Sequence, residues 1–540
     1  MVWDPRKGGT DRKEAGKMIV PCKTASALIS KSFEQPLSPY EKLKVKIHLF
    51  LCQYVGGKDC ENYLQQIQMM RELAGRAGEP ALQLKEVQKL KLPHKEKKQL
   101  KELLARAAKE NPPGKKLPMP SPRLKIAVVG GGVSGVVSAF LLQDTHDVTL
   151  FEKNDYVGGH THTIVIDQGP DEGSAVDTGF IVLNDRTYPN FTQFLSRLQV
   201  PIRSSDMSFG FYDESTALCY AGNNLNGIFA QPKNILKPAF YRMLWDIRRF
   251  GKEGESDLGH GGYEATLGKY LSAKKFSQNM INDYLLPMGS AIWSTPPGEI
   301  GDFPTESFLS FFKNHGLLDL SDRPQWQTVV GGSHTYIRAF LKSFKGTVKT
   351  NQSIVSIARL SNSVKIQFRD QPPEQFDKVI VAVHADEALA LLQDPSAEEK
   401  RLLSPWQYQK NHTVLHTDIS VMPPYRAAWA SWNYTREAGS GPQGKTSLTY
   451  DMNRLQGLKT QKRYLVTLNR DSAIEPGSIL WEFNYTHPSY TLASVKTQSS
   501  LPGLNGTRNT YFCGSYFGYG FHEDAVKSAV VVSRSLGGNL

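Results

Sequence analysis

The sequence predicts an α/β protein built on a Rossmann-type parallel sheet and preceded by a small helical module. Three observations carry this. A β-branched run, "LKIAVV", leads into a glycine-rich turn and an apolar helix, "GGGVSGVVSAFLL". A second strand-like run, "DVTLFE", ends on an acid at Glu152. Near the far end, "TYFCGSYFGYGFHEDAVKSAVVVSRSL" repeats the order strand, glycine-rich turn, helix. Short apolar strands alternating with helices are what a parallel sheet covered on both faces requires.

At 540 residues the chain has room for two or more domains. No stretch is apolar for long enough to span a bilayer. The opening "MVWDPRKGGTDRKEAGK" lacks the apolar centre of a signal peptide, so a cytoplasmic location is expected, with contact at a membrane surface left open. Five cysteines, widely scattered, do not make a disulfide framework. The net charge of +12 is localised: residues 1–125 hold 26 Lys and Arg against 13 Asp and Glu, and the remainder holds 38 against 39. That excess reads as a solvated helical face, and no direct nucleic-acid contact is expected.

The first module is expected over 18–110. "SPYEKLKVKIHLFLCQY" opens on a Ser cap, and "ENYLQQIQMMRELAGRAG" and "KEKKQLKELLARAAKE" repeat apolar residues three and four apart. Cys22, His48 and Cys52 resemble the zinc-binding modules of bacterial anti-sigma factors, whose pattern is an early Cys followed by H-x3-C-x2-C on a helix. The resemblance implies zinc held by Cys22, His48, Cys52 and Cys60, and a sigma-like factor as protein partner. The last interval is stretched here to Cys52-x7-Cys60, and a metal-free bundle with buried thiols is the competing reading. The Pro- and Lys-rich "NPPGKKLPMPSP", residues 111–122, reads as an extended linker.

The second module, 123–540, opens on the dinucleotide signature. Gly130, Gly132 and Gly135 occupy the G-x-G-x-x-G positions between strand and helix. The first permits a tight turn, the second lets backbone approach a pyrophosphate, and the third packs helix on strand. Val133 and Ser134 begin the helix, whose free N–H groups suit a phosphate. Glu152 closes the second strand where ribose hydroxyls are bound, with Lys153 beside it. Five residues further on, Gly158-Gly159 completes an E-x5-G-G pattern that resembles the extended flavoprotein fingerprint, which implies FAD. The Arg usual after those glycines is His160 here. His160 and His162 lack a neighbouring acid or Cys, and cofactor packing is favoured over a metal pair.

The C-terminal segment resembles the closing element of the flavin amine oxidase and phytoene-desaturase-like superfamily. In that family a Gly-Asp or Gly-Thr pair meets the ribityl chain, and Gly514-Ser515 stands here. The resemblance implies that the last helix, starting at about His522, aims its N-terminus at the flavin ring. "AVDTGF", with Thr178 and Gly179, and "TNQSIVSI", with Ile354, resemble further cofactor-facing segments. "SAIWSTPP", "RPQWQTVVGGSHTYI" and "GYGFHEDA" resemble a subgroup of predicted FAD-dependent oxidoreductases associated with cyclopropane-fatty-acid-synthase-like enzymes. The family architecture implies an FAD half over 123–205, 326–400 and 495–540. An interleaved α+β substrate half is implied over 206–325 and 401–494.

The implied chemistry is hydride transfer from substrate to flavin N5. Amine oxidases of the superfamily place a lysine near N5 and an aromatic cage around the amine. On the strand "KNHTVLHTDIS" the inward candidate is His412 rather than Lys410, and the cage position in the last turn is Phe521, without a hydroxyl. Both count against a simple amine. Trp293, Trp326, Trp432, Tyr450, Tyr516, Tyr519 and Phe521 suit an alkyl chain. His315, His412 and His522 are the acid–base candidates. The expected activity is therefore oxidation or desaturation of a lipid-like acyl substrate. Amine or polyamine oxidation is the alternative, and a non-enzymatic flavin redox sensor coupled to the first module is a third.

Overall fold

The structure, a computed structural model, describes residues 122–258, 265–319, 323–441 and 444–540. The expected zinc ligands Cys22, His48, Cys52 and Cys60 lie outside the described residues. Among those described, no group of three or more His, Cys, Asp or Glu is placed to hold a metal, and no helix is long and apolar enough to cross a membrane.

The expected α/β class and nucleotide-binding sheet are present. β1 (Lys125–Val129), α1 (Val133–Leu142) and β2 (Asp147–Phe151) form the opening unit. β3 (Thr347–Lys349), β4 (Lys378–Val381), β5 (Thr510–Phe512) and the closing helix α2 (His522–Ser535) complete it. The five strands run parallel in the order β3-β2-β1-β4-β5. β1 is apolar along its length because both of its faces are covered. Ile126 and Val128 meet Val136, Val137, Val526 and Val530 from α1 and α2, while Ala127 and Val129 join Phe151 and Val381 on the other side. In register, Val129 lies beside Phe151 and Val381, and Val381 beside Phe512, so these carboxyl ends share one edge. That edge is where open parallel sheets bind ligands.

A second sheet of seven strands is built from 209–221 and 407–489. It is antiparallel except where Trp432–Arg436 runs parallel to Phe209–Asp213. Helices Pro238–Leu258, Leu286–Trp293 and Thr305–Asn314 contribute Phe250, Trp293, Phe308 and Phe312 to the core that joins it to the first sheet. Between the two sheets lies a cavity.

Candidate active site

The cavity measures about 1300 Å3, more than the few hundred to ~1,000 Å3 usual for one drug-sized ligand. A dinucleotide together with a substrate fits that size. Gly130, Gly132, Val133 and Ser134 form one end of it. Gly130 has φ +106°, and a Cβ there would stand 2.5 Å from the Ala382 carbonyl oxygen. A Cβ on Gly135 would stand 1.9 Å from the Gly130 carbonyl oxygen, so Gly135 lies beneath the loop and lets α1 close on it. A Cβ on Gly132 would meet nothing within 4 Å, because that face opens on the cavity. The second glycine turn is laid on the first: Gly158 N–H donates to the Gly131 carbonyl at 2.9 Å, and Gly158, Gly159 and His160 continue the wall.

Glu152 is 5% exposed and holds this loop in shape. Its Oε2 accepts from Gly131 N–H at 2.7 Å and its Oε1 from Asn154 N–H at 2.8 Å. Each oxygen keeps a lone pair for a ribose hydroxyl. Lys153 lines the cavity and pairs with Glu387 at 2.6 Å. Ile354, Gly179, Gly514 and Ser515 line it as well. Three buried polar atoms with no hydrogen-bond partner belong to residues of this wall: His160 Nε2, Gln352 Oε1 and Tyr516 Oη. Orphaned buried groups are uncommon in a finished core, and their gathering here fits a polar ligand such as the FAD that the fingerprint implies.

His522 begins α2 and lines the cavity. Its Nε2 is 3.1 Å from both Thr161 Oγ1 and Tyr336 Oη, which also bond one another, and Phe180 stacks on its ring at 3.7 Å. Burial among hydroxyls and rings, with no carboxylate partner, pushes its pKa down to about 3. His522 is therefore a neutral imidazole at physiological pH, which leaves the role of a base, not of an acid, open to it.

His412 is corrected. On the strand Gln407–His416 its imidazole stays outside the cavity, with Nδ1 3.7 Å from Asp471 Oδ1. Lys410 is exposed, and the residue buried between them is Asn411, whose Nδ2 donates to His487 Nδ1 at 3.0 Å. Thr178 lies just behind the wall, its hydroxyl turned to Tyr485 at 2.8 Å and to His162. Phe521 lines the cavity, stacked on Phe311 at 4.9 Å. Tyr519 instead faces a smaller neighbouring cavity.

Sequence reasoning did not anticipate a histidine cluster in the wall. His160 lies 6.2 Å from His384 and 5.3 Å from His487 between ring centres. Burial holds His160 well below the ordinary imidazole range, lowers His384, and puts His487 at about 4. His384 carried a usable signal, since it follows β4 at the ligand-binding edge of the sheet. His487, on a long antiparallel strand, carried none.

The other end of the cavity is lined by Met288, Ile292, Trp293, Phe311, Trp326, Trp432 and Tyr450. His315 sits among them, stacked on Phe311 at 3.9 Å. Its Nδ1 donates to the Phe311 carbonyl at 3.0 Å, and its Nε2 lies 3.3 Å from Thr187 Oγ1, whose hydroxyl donates to Asn184 Oδ1 at 3.1 Å. Burial sets its pKa at about 4. Arg323, exposed, also belongs to this lining.

The family described as Flavin containing amine oxidoreductase matches residues 133–416. An L-amino-acid oxidase of Mus musculus is 27% identical over 270 residues, covering 45% of this chain and 38% of that protein. An L-amino-acid oxidase of Siganus canaliculatus is 24% identical over 301 residues, covering 51% of this chain and 53% of that one. The chain thus spans between about a third and a half of these curated relatives. Among solved structures, a CLA-producing fatty acid isomerase from P. acnes superposes with a TM-score of 0.54 at 16% identity, over 76% of this chain and 98% of that one. That likeness is one of fold.

Proposed function

Because the chain belongs to the flavin containing amine oxidoreductase family, we propose that this FAD-dependent oxidoreductase removes a hydride and a proton from adjacent carbons of a lipid-like acyl substrate. The observation that carries the substrate class is the far end of the cavity: aromatic and aliphatic walls, Arg323 as its cation, and no lysine among its described residues. An alkyl chain buries its surface against such walls, and a guanidinium binds a terminal carboxylate.

FAD, when bound, supplies the two-electron acceptor for the hydride. The loop from Gly130 to Gly135 and the N-terminus of α1 would hold its diphosphate, Glu152 its ribose, and Gly514, Ser515 and the N-terminus of α2 its flavin end. The tryptophans and Phe311 orient the chain and exclude water. His315, neutral because burial depresses its pKa to about 4, accepts the proton at Nε2. The substrate loses one hydride and one proton, a C=C bond forms between the two carbons, and no oxygen is added.

The second reading, oxidation of an amino acid or amine, is favoured by the two curated relatives, both L-amino-acid oxidases. Arg323 would suit an amino acid's carboxylate equally. Against it stand Phe521, without a hydroxyl, and Asn411 buried on the strand where the family resemblance leads one to expect a lysine.

Anaerobic visible spectroscopy of the holoenzyme separates the two. Titration with unsaturated and methyl-branched acyl lipids should bleach the flavin band, and polyamines and L-amino acids should not. Bleaching by the amines alone would overturn the acyl reading.

A further inference from the structure

We propose that the surface formed by Leu225, Ile235, Leu236, Tyr241 and Trp245 is a docking face for an anionic lipid bilayer, placed so that the cavity opens beside the membrane. These large apolar side chains are exposed together, Leu236 at 84% and Trp245 at 63%. Tyr241 and Trp245 lie one turn apart on the helix Pro238–Leu258. Phe229 links the parts of the patch, with its ring 6.3 Å from that of Tyr241. The patch adjoins the cavity through Gly222 and Asn223, which are exposed and also line it, three and two residues before Leu225.

Charge selects the occupant. Exposed Lys233, Lys237, Arg242 and Arg248 surround the apolar residues. The single carboxylate between Leu225 and Arg249, Asp246, is buried beneath them and paired with Arg242 at 3.0 Å and Arg249 at 3.2 Å. Trp, Tyr and Leu within a ring of cations is the composition of a face lying at the headgroup boundary. The same cations repel a second copy of the patch, and they repel the basic segment 1–125, with its 26 Lys and Arg against 13 acids.

The inference deepens the acyl-chain reading, because it gives an insoluble substrate a route into the cavity. Its test is independent of turnover. The full-length holoenzyme is floated with vesicles of phosphatidylcholine alone or mixed with phosphatidylglycerol, at low and high salt. It is compared with Leu236→Glu/Trp245→Glu and with a charge-matched control at exposed sites elsewhere, Leu341→Glu/Leu360→Glu. The wild type and the control should float with the anionic vesicles and stay bound at high salt, while Leu236→Glu/Trp245→Glu should bind at least about tenfold more weakly. Retained flavin absorbance shows that the variants are folded. Binding lost wholly at high salt, equal binding by both variants, or no flotation of the wild type would each overturn the proposal. Acyl oxidation without flotation would overturn the docking face and leave the substrate assignment standing.

Discussion

His416 isolates the physics of burial because it lies outside the cavity wall. Its imidazole is 0% exposed, its Nδ1 accepts from Asp418 N–H at 3.1 Å, and its Nε2 donates to Thr467 Oγ1 at 2.8 Å. Burial lowers its pKa from 6.5 to about 4. Below pH 6.5 the unfolded chain takes up a proton that the folded chain refuses until about pH 4. His416 therefore costs almost no stability near neutral pH and lowers stability as pH falls through that window. The loss from these two pKa values is about 1 kcal/mol on going from about pH 7.5 to about pH 5.5, and it approaches ~3 kcal/mol below about pH 4.

The wild type alone conceals this. His315 and His487, at about 4, and His522, at about 3, act in the same direction. Asp177 and Asp524, which burial raises from 3.8 to about 7, act in the other. Their unfolded forms lose a proton that the folded forms keep, so the same acidification restores about 2 kcal/mol for each. The two sets cancel in part, and His160 and His384, also lowered by burial, add to the histidine side. His416→Gln removes one contribution and keeps the rest. The variant should lose about 1–3 kcal/mol at both pH values, because Asp418 N–H loses its acceptor. Its urea unfolding free energy should then fall about 1 kcal/mol less than that of the wild type between the two pH values. Equal pH dependence in the two proteins would refute burial as the cause.

Two glycines should separate folding from cofactor retention. Gly135→Ala forces a Cβ to within 1.9 Å of the Gly130 carbonyl oxygen, and should lower stability by about 1–3 kcal/mol, read from thermal melts, as well as flavin content. Gly132→Ala adds a methyl only to cavity space, so the melt should move little while the purified protein loses its flavin absorbance. Glu152→Ala leaves Gly131 N–H and Asn154 N–H without acceptors; it should weaken FAD binding about 10- to 100-fold in a fluorescence titration. Arg323→Ala should raise KM for a free fatty acid about tenfold with kcat nearly unchanged, and should leave the methyl ester unaffected.

The nucleotide half was legible because its chemistry is local. Strand, turn, helix and acid fall within about thirty residues, and each has a backbone reason to be what it is: Gly130 for its φ, Gly135 for its contact, Glu152 for the two N–H groups it accepts. The substrate half was not, because its wall is assembled from residues that only pairing between distant strands brings together. Asn411 and His487 meet because the strands Gln407–His416 and Ile479–Ser489 pair in a particular register. A one-residue slip turns every side chain to the other face. The sequence reading took His412 as the inward residue, whereas Asn411 is the one buried, against His487, and His412 lies beside Asp471; neither lines the cavity. The pKa of His522 was beyond reach for a related reason. A histidine at a helix start reads as a titrating group until its neighbours are known, and these, Thr161, Tyr336 and Phe180, come from segments about 360, 190 and 340 residues away. Long-range assembly therefore decides both which side chain is buried and whether it carries a charge, and the same assembly sets the Arg323 cation beside the apolar wall of the cavity.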